Sequence, residues 1–412
     1  MVEDADIIVL GGGIVGVCIA LHLQLRGRQV ILADRRAPGE ETSFGNAGLI
    51  QREAVFPHHF PRHLADLFRY AKNKSTDASY HPAFLPRLAA PLLRYWHHSE
   101  PSRYLAITRR YAPLIMASLD DHIDLATRAG AMHLLRPGGW TQAHETQRTL
   151  NAALAEAELM RREFGVEHQP MDTNQLAAHE PHLRPGLAGG VHWPKPLAVI
   201  DPHALTLAYA AHFEALGGRI RVADAKSLHR EGRAWRVNGL AAPKIVVALG
   251  AWSTEVTKKL GYNPPLFVKR GYHAHFAPVG NAGLNNAVLD VANGYMLAPM
   301  RRGIRLTTGA EFAPRDAPPT PVQLARAEPA ARRLLPSLGE RLDPTPWMGA
   351  RPCTPDMMPI IGPAPGQQGA WYAFGHAHHG LTLGPTTGRL LAEMMTGDTP
   401  FTDPHPYRAE RF

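Results

Sequence analysis

Only two cysteines, Cys18 and Cys353, occur in the 412 residues. They form no C-x-x-C pair, so neither a disulfide framework nor a thiolate metal site is expected. Cys18 falls on the apolar face of the first helical pattern and reads as core. No apolar run approaches the roughly 20 residues that a membrane-crossing helix requires, so no transmembrane span is expected. Glu3 and Asp4 precede the first strand, leaving no room for a basic n-region, an apolar h-region and a cleavage site. A cytoplasmic protein is therefore expected. Repeats of fixed period and low-complexity tracts are missing. So are a dense lysine tract and a recognisable nucleic-acid module, and nucleic acid is not an expected partner although 44 Lys and Arg outnumber 36 Asp and Glu. The net charge of +8 favours anionic ligands instead, such as a phosphorylated cofactor, a carboxylate or a lipid surface. The length and 45% hydrophobic content point to an ordinary globular chain of two domains.

What the chain does contain is concentrated at its start. Asp6-Ile7-Ile8-Val9-Leu10 reads as a buried strand, Gly11-Gly12-Gly13-Ile14-Val15-Gly16 as a glycine turn, and Val30-Ile31-Leu32-Ala33-Asp34 as a second strand after an apolar helix. This is the βαβ unit that grips a dinucleotide. Gly11 permits the tight turn, Gly13 lets backbone approach a pyrophosphate, and Gly16 lets helix and strand pack closely. The helix N-terminus offers N–H groups and a positive dipole end to the phosphates, and Asp34 closes the second strand where a carboxylate can accept from ribose hydroxyls. Downstream, the pattern changes several times. Residues 56–160 are largely helical and broken by prolines, and 187–200 read as a strand pair around Trp193-Pro194. A helix follows Asp201-Pro202, and strands follow at Arg219–Val222, Ala234–Val237 and Lys244–Ala248. Residues 265–312 alternate as sheet strands, a helix spans about 321–334, and Ala370–Phe374 leads through a glycine and histidine loop into a last helix.

The elements that complete the dinucleotide fold thus return only near residues 247 and 375, which favours FAD over NAD. Four segments carry a resemblance in the right order: Glu41-Thr42-Ser43-Phe44-Gly45-Asn46-Ala47-Gly48-Leu49-Ile50, Val247-Ala248-Leu249-Gly250-Ala251-Trp252-Ser253, Gly349-Ala350-Arg351-Pro352-Cys353-Thr354-Pro355-Asp356 and Gly375-His376-Ala377-His378-His379-Gly380-Leu381-Thr382. Over essentially the whole chain the sequence resembles the D-amino acid dehydrogenases of the glycine oxidase, sarcosine oxidase and D-amino acid oxidase family. The Arg270-Gly271-Tyr272-His273 stretch is similar to the branch that includes D-hydroxyproline dehydrogenases. The resemblance implies an α/β fold. A discontinuous Rossmann-like FAD-binding domain (1–55, 201–255, 345–412) would carry an inserted α+β substrate domain (56–200, 256–344) built on a mixed or antiparallel sheet.

It also implies roles at matching positions. Gly11, Gly13, Ile14, Val15, Gly16, Asp34 and Arg35 would hold the adenosine and pyrophosphate, with Thr42 and Ser43 beside them. Gly45, Asn46, Ala47, Gly48 and Leu49 would lie along the isoalloxazine, Ala248, Gly250 and Trp252 along the dinucleotide, and Gly380, Leu381 and Thr382 at the flavin N1 and C2=O edge. The implied reaction is hydride transfer from the substrate Cα to flavin N5, giving an imino acid that hydrolyses to an oxo acid. Arg351, which also borders the flavin, is the expected bidentate partner of the α-carboxylate. Tyr272 and Tyr295 are candidates for a phenol hydrogen bond to it. Arg301 is a further candidate, Arg302 the alternative under a one-residue shift, and Arg305 reads as an exposed strand residue. His273, His376 and His379 either bias the amine towards deprotonation and shape the pocket, or are hydrogen-bonded loop histidines. No metal is expected at His376, His378 and His379, because no carboxylate or thiolate accompanies them. Cys353 sits closer to the Pro-Asp pair than the attachment cysteine of the sarcosine oxidase branch, so FAD is expected to be non-covalent.

The stretches Phe60–Tyr70 and Pro91–Trp96 mix aromatic, apolar and basic residues. Either they lie on the inner face of the cytoplasmic membrane, where electrons pass to an acceptor such as a quinone, or they are surface helices of the substrate domain. The rival enzymatic reading is an oxygen-using oxidase of glycine, sarcosine or another secondary amine. The non-enzymatic one is a flavoprotein subunit of a larger dehydrogenase complex.

Overall fold

The computed structural model describes residues 3–280 and 282–412. Its organising element is a six-stranded sheet in the order Arg219–Val222, Val30–Asp34, Ile7–Leu10, Lys244–Val247, Ala370–Phe374 and Ile360–Pro363. The first five strands are parallel and the last is antiparallel. Continuous apolar runs such as Ile7-Ile8-Val9-Leu10 suit a sheet covered on both faces. Alternation divides them: Ile7, Val9 and Leu32 join one core, and Ile8, Leu10 and Ile31 join another. On the first side pack the helices Ile14–Leu25, Pro101–Arg128, Pro202–Ala215 and Gly380–Thr396. On the second lies a four-stranded sheet containing Ala234–Val237 and Leu240–Ala242. The dinucleotide fold is therefore assembled from segments far apart in sequence.

The second body is an eleven-stranded mixed sheet. The long strand Phe267–Pro278 pairs with Gly303–Thr307, Ala310–Phe312, Leu338–Arg341 and Trp347–Cys353. The helix Val322–Leu334 packs on this sheet. Two elements cross the expected domain limits. Trp347–Cys353, inside 345–412, belongs to this large sheet. Pro101–Arg128, inside 56–200, contributes Ile107, Tyr111, Leu114 and Ile115 to the core that contains Leu390 and Leu391 of the last helix.

Residues 187–200 give two strands, Gly189–Trp193 and Leu197–Val199, but they do not pair with each other. Gly189–Trp193 joins the large sheet, while Leu197–Val199 joins a three-stranded sheet with Leu49–Ile50 and Leu135–Arg136. Pro194 and Pro196 between them lack the N–H groups that a hairpin ladder would need. Among the described residues, no helix is long and apolar enough to cross a membrane.

Candidate active site

A cavity of about 390 Å³ runs between the two bodies, from Asp34, Arg35 and Ala223–Lys226 at one end to Arg351, His58 and His378 at the other. The first helix starts at its wall. Gly16 packs against the loop before it so closely that a Cβ would stand 1.8 Å from the Gly11 carbonyl oxygen. The Gly12 N–H donates to Asp34 Oδ2 at 2.6 Å, and the Ile14 N–H to Ser43 Oγ at 2.9 Å, which ties the βαβ turn to the following loop. Arg35 pairs with Glu41 at 2.6 Å, and both Arg35 and Arg315 lie over the Trp252 ring, at 4.7 and 5.0 Å. At the other wall the 17-residue helix Gly380–Thr396 begins with no side-chain cap, so its first-turn N–H groups and dipole end face the cavity at Gly380 and Leu381. A long cleft with uncapped helical donors and a glycine cradle fits an anionic dinucleotide carrying a flat ring.

The loop that would lie on that ring is held from the large sheet. His273 Nδ1 meets the Gly45 carbonyl at 3.3 Å, and Trp347 stacks on His273 with ring centroids 4.8 Å apart. Arg305 donates to the Asn46 carbonyl and, through Nε, to His275 Nε2 at 3.0 Å. His275 Nδ1 in turn bonds Asp343 Oδ2 at 2.7 Å. The ligand-type atoms of His273, His275 and Asp343 lie within 4.8 Å of one another. Both nitrogens of His275 are engaged in the Arg305–Asp343 chain, which makes this trio a hydrogen-bonded brace of the loop. Arg305 is thus not an exposed strand residue: it is 5% exposed, and burial lowers its pKa to about 10.

Arg351 occupies the cavity wall on Trp347–Cys353, and its guanidinium lies flat over Gly271 of the neighbouring strand, where a Cβ would meet Nη2 at 2.3 Å. Its acceptors are neutral carbonyls: Gly309 at 2.8 Å and Thr308 at 3.3 Å, with Arg270 at 3.5 Å. No carboxylate balances it among the described residues, and burial lowers its pKa. Beside it on the opposing strand is Lys269, buried, with its pKa lowered to about 8 by burial.

Of the other residues expected from sequence, Gly11, Gly13, Ile14, Val15, Asp34, Arg35, Thr42, Ser43, Gly45, Asn46, Ala47, Leu49, Ala248, Gly250, Trp252, Gly380 and Leu381 line the cavity. Gly16, Gly48 and Thr382 stand behind that wall; Thr382 accepts from Gln51 N–H at 3.3 Å and donates to the Leu49 carbonyl. Tyr272 is not brought to the cavity. Its hydroxyl donates to Glu311 at 2.7 Å and accepts from Arg270 and Thr320, because strand alternation turns it away from Gly271. Tyr295 is likewise turned into the core of the large sheet, while its neighbour Met296 lines the cavity. Arg301 is exposed in a turn, and Arg302 pairs with Asp343 at 3.1 Å. His379 is buried against the Tyr111 hydroxyl at 2.8 Å and does not reach the wall, whereas His376 does and bonds Thr387. Sequence reasoning missed His58, Gln51, Trp140 and Trp347 on the cavity wall, and Lys269 beside Arg351 behind it. Lys269 carried a usable signal, since period-two alternation places residues 269, 271 and 273 on one face of a strand already singled out.

The cleft, with its glycine turn and uncapped helix start, defines a protein of the dinucleotide-binding class. More specifically, the chain belongs to the FAD dependent oxidoreductase family, whose model matches residues 6–394, and FAD is its cofactor. It is similar to D-amino-acid oxidase from Bradyrhizobium diazoefficiens, 28% identical over 100% of both chains. It is also similar to D-amino acid dehydrogenase from Cereibacter sphaeroides, 30% identical over 98% of this chain and 95% of that one. In fold it matches glycine oxidase from Geobacillus kaustophilus, with a TM-score of 0.76 at 21% identity, covering 100% of this chain and 99% of that one.

Proposed function

We propose that the protein oxidises D-amino acids to imino acids, as a dehydrogenase that hands its electrons to an acceptor such as a quinone. The observation that carries this reading is Arg351, a half-buried cation at the cavity wall whose hydrogen-bond acceptors are all neutral carbonyls. A planar guanidinium with donors to spare is matched by a carboxylate. Bound FAD supplies the two-electron acceptor for the hydride that leaves the substrate Cα. The protein's own residues then have three tasks. Arg351 fixes the carboxylate and so the presented face of Cα. The loop Gly45–Leu49, braced by His273 and Arg305, keeps backbone flat along the cleft. The excess positive potential of Arg351 and Lys269 favours the neutral amine, the form from which hydride departs. His376, lowered to about 3 chiefly by burial, is neutral and too weakly basic to hold an ammonium proton, so it shapes the wall rather than acts as a base. Cys353 is fully buried on its strand and does not line the cavity, in keeping with non-covalent FAD.

The test is anaerobic reduction of the holoenzyme by enantiomeric pairs of amino acids, with proline and hydroxyproline included. The visible absorption band of the oxidised flavin should bleach with D-enantiomers and persist with L. Bleaching confined to L-enantiomers overturns the reading. Acid precipitation should leave the yellow colour in the supernatant.

Contact with a membrane surface is part of the same proposal. The helix Leu64–Ala71 buries none of its residues, and Leu64 and Phe68, one turn apart, are 72% and 70% exposed. Leu93 and Trp96 are exposed on the helix Leu85–His98, with Arg62 over the Trp96 ring at 4.2 Å and Arg94 exposed on the same helix, while Arg69 is paired with Asp77 at 3.1 Å. Such a face suits an anionic bilayer. Replacing Leu64 and Phe68 by aspartate should weaken co-sedimentation with phosphatidylglycerol vesicles about 10-fold or more. Equal sedimentation of variant and parent would exclude this surface.

A further inference from the structure

Two cations stand at the far end of the cavity, Arg351 on its wall and Lys269 buried behind that wall, against the single charge of an α-carboxylate. On the strand Phe267–Pro278, Lys269 and Gly271 share a face, and Lys269 stands directly opposite Arg351 in the ladder. Across the cavity His58 and His378 lie ring against ring, with centroids 4.4 Å apart. Lys269 Nζ donates to the Tyr95 hydroxyl at 3.2 Å, and that hydroxyl donates to the His58 carbonyl at 2.8 Å, so the ammonium is linked to the imidazole segment. The groups acting on His378 after burial are His58, Arg351, Lys269 and His379, every one of them basic. No acid faces Lys269 either; its neighbours are Arg351, the Cys353 thiol and the aromatic rings of Tyr95, Phe267 and Phe312. The Nδ1 atom of His378 is buried with no hydrogen-bond partner. Uncompensated buried charge is costly, and it persists where a ligand supplies the counter-charge.

Resting on the amino acid reading above, we propose that this pocket selects substrates with a second carboxylate, the acidic D-amino acids. Arg351 takes the α-carboxylate, and His378 and His58, which line the cavity, receive the side-chain carboxylate, with the Lys269 ammonium buried behind that wall. Arg351 alone would accept any amino acid. The second cluster adds charge-assisted hydrogen bonds that a neutral side chain cannot make, and a site built for such bonds discriminates strongly against the isostere lacking the charge.

Two measurements on the FAD-loaded protein test this. In anaerobic reduction, kcat/KM for D-glutamate or D-aspartate should exceed that for the nearly isosteric D-glutamine or D-asparagine by about 10- to 100-fold. In calorimetric titration, which needs no turnover, succinate or glutarate should bind at least about 10-fold more tightly than butyrate. Lys269→Met and His378→Asn should shrink the acid-to-amide ratio, with D-glutamate losing more than D-glutamine. Amides and acids reduced equally, or dicarboxylates bound no better than butyrate, overturn the inference and leave D-amino acid oxidation standing. Reduction by no D-amino acid overturns both. A variant that slows acid and amide by the same factor shows that the cluster is only structural.

Discussion

Replacing Arg351 by methionine lowers kcat/KM for D-amino acids by about 10²- to 10³-fold while FAD stays bound. Truncating one partner of a buried, hydrogen-bonded charge pair typically costs about 2–5 kcal/mol, and each 1.4 kcal/mol is tenfold. Most of the loss falls on KM, since the carboxylate is held alike before and during hydride departure, with a smaller part on kcat from poorer aim at Cα. The cost in stability is small for a specific reason. Arg351 faces no carboxylate, so methionine relieves a desolvated cation while giving up bonds to the carbonyls of Thr308 and Gly309. These terms oppose each other, and the thermal midpoint should stay within a few degrees. Lysine at the same position keeps the charge but not the planar fork, so it recovers only part of the activity. Steady-state kinetics beside a melting curve decide the matter: turnover within about threefold of the parent would remove Arg351 from the substrate site.

How much of this was legible in the sequence depends on what each signal measures. The glycine turn and Asp34 report backbone geometry, which is local, and the structure places them on the cofactor cleft. The same holds for Ser43, Asn46 and Leu49, because a loop pressed against a cofactor needs small residues or exposed amides. Tyr272 was a candidate on residue type alone. Choosing between the Arg270–Tyr272 face and the Lys269–Gly271 face of one strand requires knowing what covers each side, and both sides carry polar groups. The structure gives the first face an internal partner, Glu311, which consumes Arg270 and the Tyr272 hydroxyl. Arg305 read as exposed because it alternates with Ile304 and Leu306, yet this strand is covered on both faces and its guanidinium reaches the Asn46 carbonyl. His58 had no signal, since it belongs to a proline-broken stretch whose docking against His378 is set by tertiary packing alone.

Gly16→Ala should have the largest effect on stability, and it separates packing from conformational freedom. Gly16 is helical, where alanine is normally the better residue by roughly 1 kcal/mol. Here the added methyl would stand 1.8 Å from the Gly11 carbonyl oxygen. Gly11 cannot retreat, because it sits at φ +116° with its own Cβ direction 2.3 Å from the Ala248 carbonyl oxygen. Three backbone segments, the turn, the helix and the end of the Lys244–Val247 strand, are thus stacked with nothing flexible between them. Relief requires moving the helix off the sheet, a strain of about 3 kcal/mol or more, and it displaces the N–H groups aimed at the pyrophosphate. The variant should purify without flavin colour and melt roughly 5 °C or more below the parent. Gly27→Ala supplies the contrast: Gly27 has a positive φ, +74°, where Gly16 is helical, and no atom lies within 4 Å of its Cβ direction. It should lose only about 1 kcal/mol, from the left-handed backbone, and keep its flavin. If Gly16→Ala retains yellow colour and the parent's melting point, the close contact of helix and turn is not what shapes the cofactor cleft.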